Sequence, residues 1–104
     1  MEKSRLEMLE EFLAASPADS FVRYGLAQEY ARQGQAGKAV EQFRELISRN
    51  AEYKAAYYHL GQALEKEGKL DEARQAYQDG IEVTGRLGDD HARSELQAAL
   101  DLLG

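Results

Sequence analysis

The strongest constraint on this chain is an internal period of 34 residues. Tyr57, Leu60, Gly61, Leu64, Gly68, Ala73 and Tyr77 have counterparts at that spacing in Arg23, Leu26, Ala27, Tyr30, Gly34, Ala39 and Phe43. A period of this length marks a supersecondary unit that cannot bury its apolar face alone, so neighbouring units must stack to make a core. The architecture is therefore a short array rather than a free-standing globule with an arbitrary topology.

The residues inside each unit call for helix. The chain has one proline and is rich in Ala, Leu, Glu, Gln, Lys and Arg, all good helix formers. It has no sustained apolar–polar alternation that would signal strands. The periodicity predicts a first helix over 2–15, with Leu6, Leu9, Phe12 and Leu13 as its apolar stripe and Glu7, Glu10 and Glu11 opposite. A second is expected over 17–33, with Ser16 as cap, Pro17 in the first helical position, Asp19 at the positive end and Gly34 as stop. A third, over 36–49, buries Ala39, Val40, Phe43, Leu46 and Ile47. Asn50 is expected to cap a fourth over 51–67, which Gly68 ends. The fifth, over 70–86, presents Leu70, Ala73, Ala76, Tyr77 and Ile81, with Gly85 and Gly88 marking a fraying end and a turn. The sixth, over 89–103, opens on Asp89 and Asp90 and carries Ala92, Leu96, Ala99, Leu100 and Leu103. Links of a few residues make such helices antiparallel neighbours. The expected fold class is all-α, in one domain of about six antiparallel helices.

Charge narrows the function. The net charge is −6 at pH 7, and it is concentrated at the ends: residues 1–19 and 88–104 carry −3 each, residues 20–53 carry +1 and residues 54–87 carry −1. Polar ends are what terminal elements of a stacked array need to stay in solution. There is no basic stripe of the kind nucleic acid requires. No apolar run approaches the ~20 residues of a membrane helix, and the charged amphipathic start lacks a signal-peptide core, so a cytoplasmic location is expected. With no cysteine, disulfides and thiolate metal sites are excluded.

These spacings resemble the tetratricopeptide repeat family, whose unit is a 34-residue helix–turn–helix with small and large residues at set positions. The family's Leu-Gly pair stands here as Leu26-Ala27 and Leu60-Gly61, and the aromatic three residues later as Tyr30 and Leu64. The turn glycine is Gly34 and Gly68, the small residue of the second helix Ala39 and Ala73, and the aromatic after it Phe43 and Tyr77. A further small residue is Gly80 in one unit and Leu46 in the other; the tryptophan position holds Tyr57 and Arg23; the closing proline is Ala51 and Gly85, but Pro17 one unit earlier. The resemblance implies repeats at 20–53 and 54–87, a half-repeat helix at 2–15 and a capping helix at 89–103. It also implies a right-handed α-α superhelix with a concave binding face.

On a wheel at about 100° per residue, Leu26, Ala27 and Tyr30 point to the core. Phe21, Tyr24, Gln28, Ala31 and Arg32 point away, and the matching set is Ala55, Tyr58, Gln62, Glu65 and Lys66. Stacking brings the two sets side by side on the concave face. The candidate site is therefore Phe21, Tyr24, Gln28, Arg32, Tyr58, Gln62, Glu65 and Lys66. Aromatics and Arg supply contact energy, while Gln can donate to and accept from a peptide backbone. The competing reading has Tyr24 and Tyr58 covered by the N-terminal helix or by self-packing. One subclass of the family grips chaperone C-termini with Lys and Asn; the corresponding positions here are Tyr24, Gln28, Tyr58 and Gln62, so that activity is not expected.

No constellation points to catalysis. His59 and His91 are far apart in sequence and lack a convergent ligand set, and His59 sits beside core positions, which suits a structural or surface role rather than a metal. Glu10/Glu11 and Asp89/Asp90 are adjacent on helices and do not face each other. No serine has a partner set of a known nucleophile pattern, and Gly34…Gly37 and Gly85…Gly88 lack the strand and lysine of a phosphate loop. The expectation is a non-enzymatic module without cofactor or metal, binding a protein or peptide partner. The alternative is a structural unit that self-associates weakly through its end helices.

Overall fold

The computed structural model describes residues 2–104. Six helices follow one another: α1 (Arg5–Ala15), α2 (Ser20–Arg32), α3 (Ala36–Arg49), α4 (Ala55–Lys66), α5 (Leu70–Arg86) and α6 (Asp90–Leu103), with no strand among the described residues. Each helix packs on the next, while α2 touches α4 and α4 touches α6. Alternate helices thus form one layer, α2–α4–α6, and α3 and α5 lie behind it. The molecule measures 46 × 28 × 19 Å, the flattened outline of a short stack.

The helix ends follow from local chemistry. Ser4 and Glu7 form a reciprocal capping box, so α1 starts at Arg5 rather than at residue 2. Asp19, not Ser16, caps α2: its carboxylate accepts from the Val22 amide at 3.0 Å. Ser16 instead closes α1, and Pro17 lies in the turn. Asn50 closes α3 and reaches Ser20 at 3.4 Å; α4 starts four residues later than expected, with no side-chain cap. Asp89 caps α6 through the Ala92 amide at 3.1 Å. Gly85 stays helical inside α5.

Three turns share one solution. Gly34, Gly68 and Gly88 have φ of 79°, 75° and 72°. After each, the next amide returns to a carbonyl five residues back: Gln35 to Tyr30, Lys69 to Leu64 and Asp89 to Thr84, at 2.8–2.9 Å. This left-handed closure reverses the chain within two residues and costs a side-chain-bearing residue strain that glycine escapes.

The core runs through the stack as one cluster, including Leu26, Ala27, Tyr30, Phe43, Leu46, Tyr57, Leu60, Leu64, Tyr77 and Leu96. Its tightest crossing is Gly61 against Tyr77, where a Cβ would stand 2.2 Å from a ring carbon. At Gly80 an added Cβ would meet Tyr57 at 2.7 Å and Leu96 at 2.9 Å. Two expected stripe members lie outside the core. Phe12 is 59% exposed and Leu70 45%, because each sits at the edge of a helix covered on one side only. Glu10, assigned to the solvent side of α1, instead accepts from the Tyr30 hydroxyl at 2.9 Å.

The two residues at the tryptophan position do the same job. Tyr57 donates its hydroxyl to the Ala51 carbonyl at 2.5 Å, and Arg23 donates its Nη2 to the Pro17 carbonyl at 2.9 Å. Ala51 and Pro17 are themselves one period apart. A buried guanidinium, with Gln42 as second partner at 2.7 Å, therefore replaces a buried phenol in tying a helix to the turn that precedes it.

Candidate functional site

The α2–α4–α6 layer carries three adjoining hollows. The first, of about 440 Å³, lies between α2 and α4 and is lined by Gln28, Ala31, Arg32, Phe43, His59, Gln62, Ala63 and Lys66 among others. The second, of about 320 Å³, lies between α4 and α6 near Lys54, Tyr58, His59, Asp89 and Leu96. The third, of about 400 Å³, adjoins it at Tyr58, Gln62, Glu65, Glu95, Ala98 and Leu102. Shared walls make them one groove: His59 borders the first and second, Tyr58 the second and third, and Gln62 the first and third.

Of the residues expected to form the site, Gln28, Arg32, Tyr58, Gln62, Glu65 and Lys66 line these hollows. Phe21 lines none of them and is 76% exposed. Tyr24 lies half-buried behind the groove, its ring 5.2 Å from Tyr53 and 5.6 Å from His59. Its ring packs against Tyr53, His59 and Phe43.

The polar lining is partly committed inward. The Tyr77 hydroxyl rises beside Gly61, donates to the Glu65 carboxylate and accepts from Gln62 Nε2 at 2.6 Å. Burial, and then the bond to Glu65, push the Tyr77 phenol well above its ordinary range. Gln62 Nε2 also donates to Glu65 at 3.4 Å, so both amide hydrogens are engaged and the carbonyl side is left to meet a ligand. Arg32 is held by Glu29, whose carboxylate is buried and also 3.3 Å from Arg5. The hydrogen bond from Arg32 is the main reason Glu29 stays ionised below the usual carboxylate range. The Lys54–Asp89 pair, at 2.6 Å, closes one end of the second hollow.

His59 is the groove residue that sequence reasoning set aside. Its ring stacks on Phe43 at 6.0 Å and meets Tyr58 and Tyr24 edge-on at 5.5 and 5.6 Å. Burial pulls its pKa below the ordinary value, so it stays neutral at pH 7. The signal lay in the repeat register. One period before His59 stands Gly25, and one period before Phe43 stands Leu9, which lies 3.5 Å from where a Gly25 Cβ would be. This position faces the second helix of the preceding unit, and His59 fills it. The third wall, Glu95, Ala98 and Leu102 of α6, was also missed as part of the groove, because the last helix was read for its core stripe and as an end surface for self-association.

A sequence model of the tetratricopeptide repeat matches residues 24–90. The chain belongs to the tetratricopeptide repeat family. A repeat-containing protein of this family from Pseudomonas aeruginosa is 32% identical over 95 residues, which cover 91% of this chain and 90% of that one. The solution structure of a tetratricopeptide repeat domain protein from Salinibacter ruber superposes with a TM-score of 0.79 at 39% identity, over 85% of this chain and 89% of that one. The solution structure of a Bordetella parapertussis protein gives 0.85 at 29% identity, over 98% and 89%. Proteins of this family are typically non-enzymatic modules that mediate contact between proteins. Among the described residues no group of three or more His, Cys, Asp or Glu is placed to hold a metal, and no helix is long and apolar enough to cross a membrane.

Proposed function

We propose that this tetratricopeptide repeat protein is a non-enzymatic adaptor that holds an extended peptide or a partner helix in the α2–α4–α6 groove. In this reading residues 20–53 and 54–87 are the repeats, residues 2–15 a half repeat, and residues 89–103 a cap that also serves as the third wall. The continuity of the three hollows through His59, Tyr58 and Gln62 supports the proposal: a chain laid across them meets concave surface along its whole length. Tyr58 and His59 offer rigid aromatic surface in the middle, where binding energy concentrates.

The test fills the groove from positions that carry no core packing. Ala31 and Ala98 are exposed residues lining the first and third hollows. Ala31→Trp and Ala98→Trp should each abolish capture of the partner from lysate with an unchanged helical circular dichroism spectrum. Ser48→Trp on the opposite side of the molecule should not. Retained capture by both groove variants rules the assignment out.

The self-association alternative has an observation of its own. Met8 and Phe12 on α1, and Leu102 on α6, leave apolar surface exposed on the first and last helices. Sedimentation across a range of concentrations decides it, since a strict monomer removes this reading.

A further inference from the structure

The groove is electrically divided in a way that selects its ligand. The first hollow has no acidic side chain in its lining; its charged residues are Arg32 and Lys66. Lys66 has no ion-pair partner among the described residues. Arg32 shares one buried carboxylate, Glu29, with Arg5, so that cluster keeps a surplus positive charge. In a chain of net charge −6 such a patch stands against the average. The third hollow is the reverse: its charged residues are Glu65 and Glu95, with no base in the lining. Glu65 is bonded to the uncharged Tyr77 and Gln62 and has no basic partner; Glu95 is 3.1 Å from His91, which is charged only when protonated. In the second hollow Lys54 and Asp89 neutralise each other, and Glu95, shared with the third hollow, leaves that wall acidic.

We propose that the partner segment is extended and amphoteric, with a carboxylate in the first hollow at Arg32 and Lys66 and a cation in the third hollow at Glu65 and Glu95. The inference rests on the concave-groove reading. Gln62 stands on the ridge between the two hollows. Packed helices lie about 10 Å apart, and an extended chain advances about 3.3 Å per residue. The two charges on the ligand are therefore about three residues apart, with small or apolar residues between them over Tyr58 and His59. A uniformly acidic segment is repelled at α6 and a uniformly basic one at α2–α4, so charge sets both the choice of segment and its position along the groove.

The probes are three end-blocked peptides, AAELAKAA, AAKLAKAA and AAELAEAA, titrated to millimolar concentration against the labelled protein while backbone amide shifts are followed. The amphoteric peptide should move amides around both hollows and bind at least about threefold more tightly than either other peptide. Lys66→Glu, at an exposed position outside the core, should weaken the amphoteric peptide roughly fivefold and strengthen AAKLAKAA; Glu95→Lys should do the same for AAELAEAA. Equal binding of all three peptides in the groove, unaffected by these variants, overturns the charge assignment and leaves the groove intact. Absence of any groove shift with every peptide also overturns it. The adaptor reading is then judged separately, by the tryptophan-filled variants, which use the natural partner and no peptide.

Discussion

The α2–α3 and α4–α5 units are built on one plan, yet they differ where they face the groove. Arg23 and Tyr57 occupy equivalent positions and tie their helices to equivalent carbonyls, so an unlike pair of residues performs one structural task. Ala27 and Gly61 are also equivalent, and so are Phe43 and Tyr77. The second unit gives up a methyl group where its partner gains a hydroxyl. That hydroxyl meets Glu65 and Gln62; in the first unit the corresponding positions are Ala31 and Gln28, and Phe43 has no hydroxyl to satisfy. The pair Tyr77–Glu65 is matched by the pair Phe43–Ala31. The difference teaches that the scaffold tolerates changes of residue so long as each buried polar atom keeps a partner. The groove, meanwhile, acquires its individual character from the same exchanges.

The largest effect should come from attacking the closer crossing. Gly61→Leu places atoms where the Tyr77 ring stands, and should cost about 3 kcal/mol or more, read as a fall in Tm. Ala27→Gly at the equivalent site overpacks nothing; it loses a buried methyl and helix propensity and should cost about 1–2 kcal/mol. A loss for Gly61→Leu no larger than that for Ala27→Gly would show that the Gly61–Tyr77 crossing has room for a side chain. Next, Arg23→Ala leaves the Pro17 carbonyl and Gln42 without their partner and should cost about 2 kcal/mol, whereas Tyr57→Phe should cost about 1 kcal/mol, both by denaturant titration. A silent Arg23→Ala would break the equivalence drawn between the two residues.

A smaller effect tests the polar pair. In a double-mutant cycle, Tyr77→Phe and Glu65→Ala should show a coupling of about 1 kcal/mol, with the double variant resembling the first unit. Simple additivity would mean that Glu65 and Tyr77 do not act together. The smallest concerns His59, whose counterpart is Gly25. Its folded pKa lies below the ordinary 6.5 because burial disfavours the charged ring. The unfolded chain therefore binds the proton first. The stabilising contribution is complete above the ordinary value and is lost as pH falls through the lowered one. His59→Gln should accordingly lose less stability than the parent between pH 7 and 5, measured by urea unfolding at each pH. Identical profiles would show that the ring is not desolvated by Phe43, Tyr58 and Tyr24.

Much of this is legible in the sequence. The turn glycines identified the hairpins, since only a left-handed residue closes a helix so abruptly, and the small–large pattern located the crossings. Helix starts were less legible. Ser16, Pro17 and Asp19 are all plausible starters, and the winner, Asp19, was chosen by where the Val22 amide points. Gln28, Arg32, Tyr58, Gln62, Glu65 and Lys66, which the wheel turned away from the core, line the hollows because orientation on the inner layer follows helical periodicity. The wheel placed Phe21 with them because periodicity says nothing about where a groove stops.

The sequence by itself determined the number of helices, their antiparallel order and the positions that must be small, because each of these depends on residues within a turn or one period of each other. Tertiary structure alone decided that His59 belongs to the groove, that α6 supplies its third wall, and that the Gln62 donor is turned inward. Those facts arise where three helices from different units meet, and no pairwise spacing along the chain encodes which side chains arrive there together. The stretch from Tyr57 to Tyr77 holds both kinds of information: Gly61 announces a close approach, but only the packed Tyr77 ring shows what approaches and which groove residues it engages.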